Sequence, residues 1–129
     1  MKKTPTPRPT DGELEILRVL WERGAATVRE VHEVLDARDP TGYTTVLKLL
    51  QIMTEKGLVR RDETERAHVY AARVPREETE RQLVTDLLDR AFAGSASALV
   101  LRALSSRKTS PQELARIREL LDTMEGGKQ

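Results

Sequence analysis

Residues 42–72 read GYTTVLKLLQIMTEKGLVRRDETERAHVYAA, and the fold turns on this stretch. Val46, Leu49, Leu50 and Met53 recur at the i, i+3, i+4, i+7 spacing of a buried helical face, so a helix is predicted from about Gly42 to Lys56. Gly57 closes it. The period then changes. Leu58 to Arg61 and His68 to Ala72 read as two short strands, joined by the turn-prone Asp62-Glu63-Thr64-Glu65, which makes a β-hairpin.

Upstream, Thr10 and Glu13 fit a capping box that opens a first helix, with Leu14, Leu17, Leu20 and Trp21 on one face and Ile16 and Val19 widening it. Gly24 ends that helix by tolerating the left-handed conformation. Thr27 and Glu30 repeat the box before a second helix carrying Val28, Val31, Val34 and Leu35, which stops before Asp39-Pro40. The order helix, helix, helix, hairpin is that of a winged helix-turn-helix. Downstream, Pro75 starts a fourth helix running to about Phe92 on a stripe of Leu83, Leu87 and Leu88. Ala93-Gly94-Ser95 breaks the chain before a fifth helix with Leu99, Val100, Leu101 and Leu104. Ser110 to Glu113 form a third capping box, leading into Leu114, Ile117, Leu120, Leu121 and Met124. These last three helices are thin in apolar residues, so a partner chain is expected to supply buried surface. The predicted fold class is thus mainly α: a disordered, proline-rich arm over residues 1–9, a winged-helix domain over 10–74 and a helical region over 75–129 expected to pair with a partner chain.

Composition agrees with long helices that have charged outer faces: 38% of the 129 residues are hydrophobic, 33% are charged and only 3% are aromatic. That balance speaks against an aromatic-rich β-sandwich. The absence of cysteine rules out disulfides, thiol nucleophiles and thiolate metal sites, and it fits a reducing compartment. No apolar run reaches the ~18 residues of a membrane span, and Met1 to Pro9 is too polar for a signal segment, so a soluble, cytoplasmic protein without membrane association is expected.

The net charge of +1 does not announce a nucleic-acid binder, so local placement must decide. Between Thr44 and Arg61 lie Lys48, Lys56, Arg60 and Arg61 against Glu55 alone. Thr44, Lys48, Gln51 and Glu55 form the polar face of the third helix. Its first turn, Thr41 to Thr45, would point toward base edges if the helix lay in a major groove. The wing tip is ambivalent, since Asp62, Glu63 and Glu65 repel phosphate while Arg66 and His68 attract it. Tyr70 fits either a sugar stack or the domain core. Enzyme readings find no support: His32 and Glu33 lack the second histidine of an H-E-x-x-H helix, and no phosphate-binding glycine loop or G-x-S-x-G elbow is present. Thr44, Thr45, Lys48, Arg60 and Arg61 are the candidate contacts if double-stranded DNA is the partner, and no cofactor, metal or catalytic residue is expected. The rival reading is a winged-helix protein-interaction module that does not bind DNA.

Pro9 to Leu17, Trp21, Val28 to Val31, Tyr43 to Leu47, Glu55 to Val59 and His68 to Tyr70, and more loosely Phe92 to Ser95 with Leu99-Val100, closely resemble the penicillinase repressor (BlaI/MecI/CopY) family of winged-helix transcriptional regulators. The resemblance runs over nearly the whole chain from Pro9. It implies a homodimeric repressor whose winged helices each bind half of a palindromic operator, controlling β-lactam or cell-envelope response genes, with interlocked C-terminal helices. By position it makes the third helix the recognition helix, with Thr44, Thr45 and Lys48 as DNA contacts. Leu101, Leu104, Ile117 and Leu121 are the expected dimer-core positions, from their helical stripes. Two departures matter. The C-terminal cysteine motif of copper-responsive relatives is absent, which argues against copper sensing. Where penicillin-responsive members are cut at an Asn-Phe bond by an antirepressor protease, this chain has Arg102-Ala103.

Overall fold

The computed structural model describes residues 8–126; the rest of the arm expected over residues 1–9 lies outside the described residues, as do residues 127–129. The described chain falls into two compact units, the first through Val84 and the second from Thr85.

In the first unit, α1 (Asp11–Arg23), α2 (Val28–Arg38) and α3 (Tyr43–Lys56) pack with strands β1 (Ala26–Thr27), β2 (Val59–Asp62) and β3 (Val69–Ala72). Both predicted N-terminal capping boxes form. The Glu13 and Glu30 backbone N–H groups donate to the Thr10 and Thr27 hydroxyls at 3.3 and 3.2 Å, and each glutamate accepts the threonine N–H at 2.9 Å. These bonds satisfy donors that the first helical turn would otherwise leave unpaired.

The core is Ile16, Leu17, Val31, Val46, Leu50, Met53, Leu58 and Tyr70, all nearly inaccessible. The face of α1 is centred differently from the expected stripe: Ile16, Leu17, Val19 and Leu20 are buried, while Leu14 and Trp21 sit half-buried at its borders. Trp21 is held there because its indole N–H donates to the Val74 carbonyl at 2.9 Å, tying α1 to the segment after the wing. Tyr70 proves to be core, which closes the sugar-stacking option.

The hairpin gains a third strand. β1 pairs with β3 through Ala26 opposite Tyr70, giving the antiparallel order β1-β3-β2. Two glycines impose the geometry around it. Gly57 adopts φ 84°, ψ 14°, the left-handed cap. Gly24, expected to do the same, instead has φ 91°, ψ −167°, an extended positive-φ region that is essentially closed to other residues. That geometry turns the chain out of α1 and straight into β1.

Helix α4 (Arg76–Ala91) begins in the first unit, where Thr79 is buried. The second unit continues it and adds α5 (Ala96–Ser106), capped by the Ser95 hydroxyl, and α6 (Pro111–Gly126), capped by that of Ser110. No residue of α5 or α6 is buried. Among the described residues no helix is long and apolar enough to cross a membrane.

Candidate nucleic-acid interface

The turn between α2 and α3 is braced by side chains from α2. The Thr41 N–H donates to the Asp36 carboxylate at 2.9 Å, the Thr41 hydroxyl donates to the Asp39 carbonyl at 2.7 Å, and the His32 ring meets the Thr41 carbonyl at 2.7 Å. A carbonyl only accepts, so His32 carries its hydrogen on Nε2. The same ring packs edge-on against Tyr43 at 5.7 Å, orienting the first residue of α3. His32 is thus a positioning residue that the sequence pattern offered only as an unsatisfied zinc motif. Helix α3 then starts without a side-chain cap and without an acid in its first turn, so its amino end keeps free donors and a positive field.

Thr44, Thr45 and Lys48 are exposed on one side of α3, while Val46, Leu50 and Met53 bury the other. Lys48 has no ion-pair partner among the described residues. The basic run from Thr44 to Arg61 is less free than its charge count suggests. The Lys56 ammonium is bonded to both carboxylate oxygens of Glu13, at 2.8 and 3.0 Å, joining the carboxyl end of α3 to the amino end of α1. Burial pushes the Glu13 carboxyl up, but hydrogen bonds from Lys56 and Thr10 and the Lys56 charge together outweigh it, so Glu13 sits below its ordinary value. Arg61 is held by Glu63 at 2.7 Å. Hydrogen bonds to the Tyr70 hydroxyl and to Glu63 raise the Arg61 guanidinium above its usual value.

The wing divides by charge. Arg60, Arg61, Asp62 and Glu63 line a cleft beside Ala25, where the two carboxylates offset the two guanidiniums. Arg66 and His68 turn instead into a second cleft of about 310 Å3, shared with Arg29 of α2 and Tyr43 of α3. The five expected DNA residues are therefore not one patch: Thr44, Thr45 and Lys48 share the face of α3, and Arg60 and Arg61 lie on β2. Arg29 and Tyr43 were not singled out among the candidate contacts, since nothing local marks which side chains tertiary contacts will collect. In the second unit, Leu101, Leu104 and Leu121 are exposed, at 60%, 36% and 54%, and Ile117 is half-buried.

Residues 9–123 match the family model described as penicillinase repressor. The chain is 36% identical over 120 residues to the transcriptional regulator BlaI of Mycobacterium tuberculosis, covering 90% of this chain and 86% of that protein. It is 24% identical to the penicillinase repressor of Bacillus licheniformis, with 95% and 94% covered. Among solved structures, it resembles the monomeric form of Bacillus licheniformis BlaI in complex with the blaP half-operator, with a TM-score of 0.50, 26% identity, and 60% of this chain and 93% of that one covered.

Proposed function

The chain belongs to the penicillinase repressor family, and we propose that it works as a cytoplasmic, non-catalytic homodimer that represses transcription from a palindromic operator. The proposed targets are β-lactam or cell-envelope response genes. In this reading α3 lies in the major groove. Thr44 and Thr45 select bases, Lys48 and Arg60 bind phosphate, and Arg61 does so by exchanging its partner Glu63 for phosphate. The observation that carries the reading is the exposed Thr44, Thr45 and Lys48 face on a helix whose opposite stripe is buried and whose first turn is braced through Thr41. That the Bacillus licheniformis relative is found in complex with a half-operator supports DNA as the partner.

Residues 10–74 are proposed as the DNA-binding part and 75–129 as the dimerisation part. The exposed leucines of α5 and α6 support this, because burying one such side chain against a second copy is worth about 1.5–3 kcal/mol. An antirepressor protease is a proposed partner, acting at a bond other than Arg102–Ala103. Selection of bound duplexes from a random pool, followed by salt titration, tests the reading. Enrichment of a palindrome whose affinity falls with salt is expected; no enrichment and no salt dependence would refute it and favour a protein-interaction module.

A further inference from the structure

The chain leaves the winged helix through a joint with little freedom. Only residues 73–75 separate β3 from α4, and no glycine lies between Gly57 and Gly94. Pro75 locks its own φ and restricts Val74 before it. The backbone of this short segment is held from two sides. The Arg73 N–H donates to the Leu58 carbonyl at 2.9 Å, at the root of the wing, and the Val74 carbonyl accepts the Trp21 indole N–H at 2.9 Å, at the end of α1. Val74 is buried, and Trp21 packs against the core. Beyond Pro75, whose carbonyl accepts the Thr79 N–H at 3.2 Å, Thr79 is the residue of α4 that is buried. The first unit accordingly extends through Val84, so the opening turns of α4 belong to the winged-helix body, and the same helix runs on unbroken to Ala91. A tether that only kept two bodies together would need none of this, since a Gly- or Ser-rich segment would serve.

We propose that Trp21 is a positioning residue for operator geometry: by holding Val74 it fixes the direction in which α4 leaves the winged helix, and so selects the half-site separation that one dimer grips with both winged helices. The inference rests on the operator-binding reading above and adds to it a preference that no base contact supplies. Linked half-site contacts reinforce each other only as far as the connection lets both form at once. A flexible connection spans a range of separations with slowly varying effective concentration, whereas a stiff one favours a single separation. Half-sites one helical turn apart, about 10–10.5 bp centre to centre, lie on one face of the duplex, so a stiff dimer is sensitive to rotational phase as well. Trp21 suits the task because its ring is anchored on the core while its N–H reaches a backbone carbonyl, and holding a carbonyl sets the course of the chain rather than the place of one side chain.

The test uses the full chain and three probes: the palindromic duplex enriched from a random pool, a duplex with one of its half-sites, and the palindrome with its centre lengthened by about 5 bp, half a helical turn. The parent chain should bind the lengthened palindrome about tenfold or more weaker than the original, close to the single half-site. Trp21→Phe keeps a ring on the core and removes the N–H. It should leave half-site affinity unchanged, weaken the original palindrome by about two- to tenfold, the range of one neutral hydrogen bond, and bring the two palindromes closer together. A Gly-Gly insertion between Val74 and Pro75 should narrow that gap further in a chain that still has Trp21. A merely structural tryptophan would not move the spacing preference, so Trp21→Phe losses that are equal on half-site and palindrome overturn the inference. An insertion variant that keeps the parent's preference, or a parent chain that binds both palindromes alike, overturns it too, and in both cases operator binding still stands. If the pool yields no palindrome, the operator reading fails first and this inference with it.

Discussion

Lys56→Met removes the cation that holds a buried carboxylate, and its cost follows from the geometry of the pair. The Glu13 side chain is 2% exposed and receives Lys56 at 2.8 and 3.0 Å, while the Lys56 side chain is 33% exposed. Breaking a fully buried pair from one side costs about 3–5 kcal/mol, and a hydrogen bond to a charged group about 1.5–3 kcal/mol. Water already reaches the lysine side and the Thr10 N–H still serves Glu13, so the lower range applies and Lys56→Met should destabilise by about 2 kcal/mol. Glu13→Gln should cost less, about 1 kcal/mol, because the amide oxygen keeps the Thr10 N–H and the freed ammonium can hydrate. The double variant should then lose less than the sum of the two. Urea unfolding at one fixed protomer concentration measures all three, which keeps any dimer contribution constant. The pH dependence has a definite sign. The folded Glu13 value lies below its ordinary 4.5, so the stabilisation is present above 4.5 and is lost as pH falls through the lowered folded value. Glu13→Gln should flatten that acid limb. Lys56→Met should also leave the salt slope of DNA binding unchanged, since this lysine is committed inside the fold. A Lys56→Met variant as stable as the parent, with additive double-variant behaviour, would refute the account.

Gly57→Ala should cost about 1–2 kcal/mol through its left-handed backbone alone, since a Cβ there meets nothing within 4 Å. Gly24→Ala should cost more, because its φ 91°, ψ −167° geometry is closed to alanine, and thermal unfolding of the two side by side checks the order. Thr45→Ala should narrow the affinity gap between operator and random duplex; equal losses on both would show that Thr45 does not read bases. Leu101→Asp/Leu121→Asp should yield folded monomers by sedimentation and weaken operator binding by about a hundredfold or more, through loss of the linked second half-site; a stable dimer would remove these positions from the interface. A protease selective for Asn-Phe bonds should leave the full-length mass intact, and a fragment pair splitting at Arg102–Ala103 would disprove that.

Local chemistry was legible in the chain itself. Thr10 with Glu13 and Thr27 with Glu30 are three residues apart, and Val46, Leu50 and Met53 repeat within two turns, because helix caps and helix faces are set by backbone geometry of short range. The same periodicity located Thr44, Thr45 and Lys48 on the outward side of α3. Other features depended on which distant segments meet. β1 is two residues long and exists only because β3 lies beside it. Lys56 finds Glu13 across 43 residues and Trp21 finds Val74 across 53, so a cation counted as free in the sequence was already spent in the fold. Arg29, Tyr43, Arg66 and His68 share no local pattern; they line one cleft because the fold brings α2, α3 and the wing to one place. Periodicity reports which side of an element is apolar, but partner choice for a charge is decided by tertiary distance, which the order of residues does not contain.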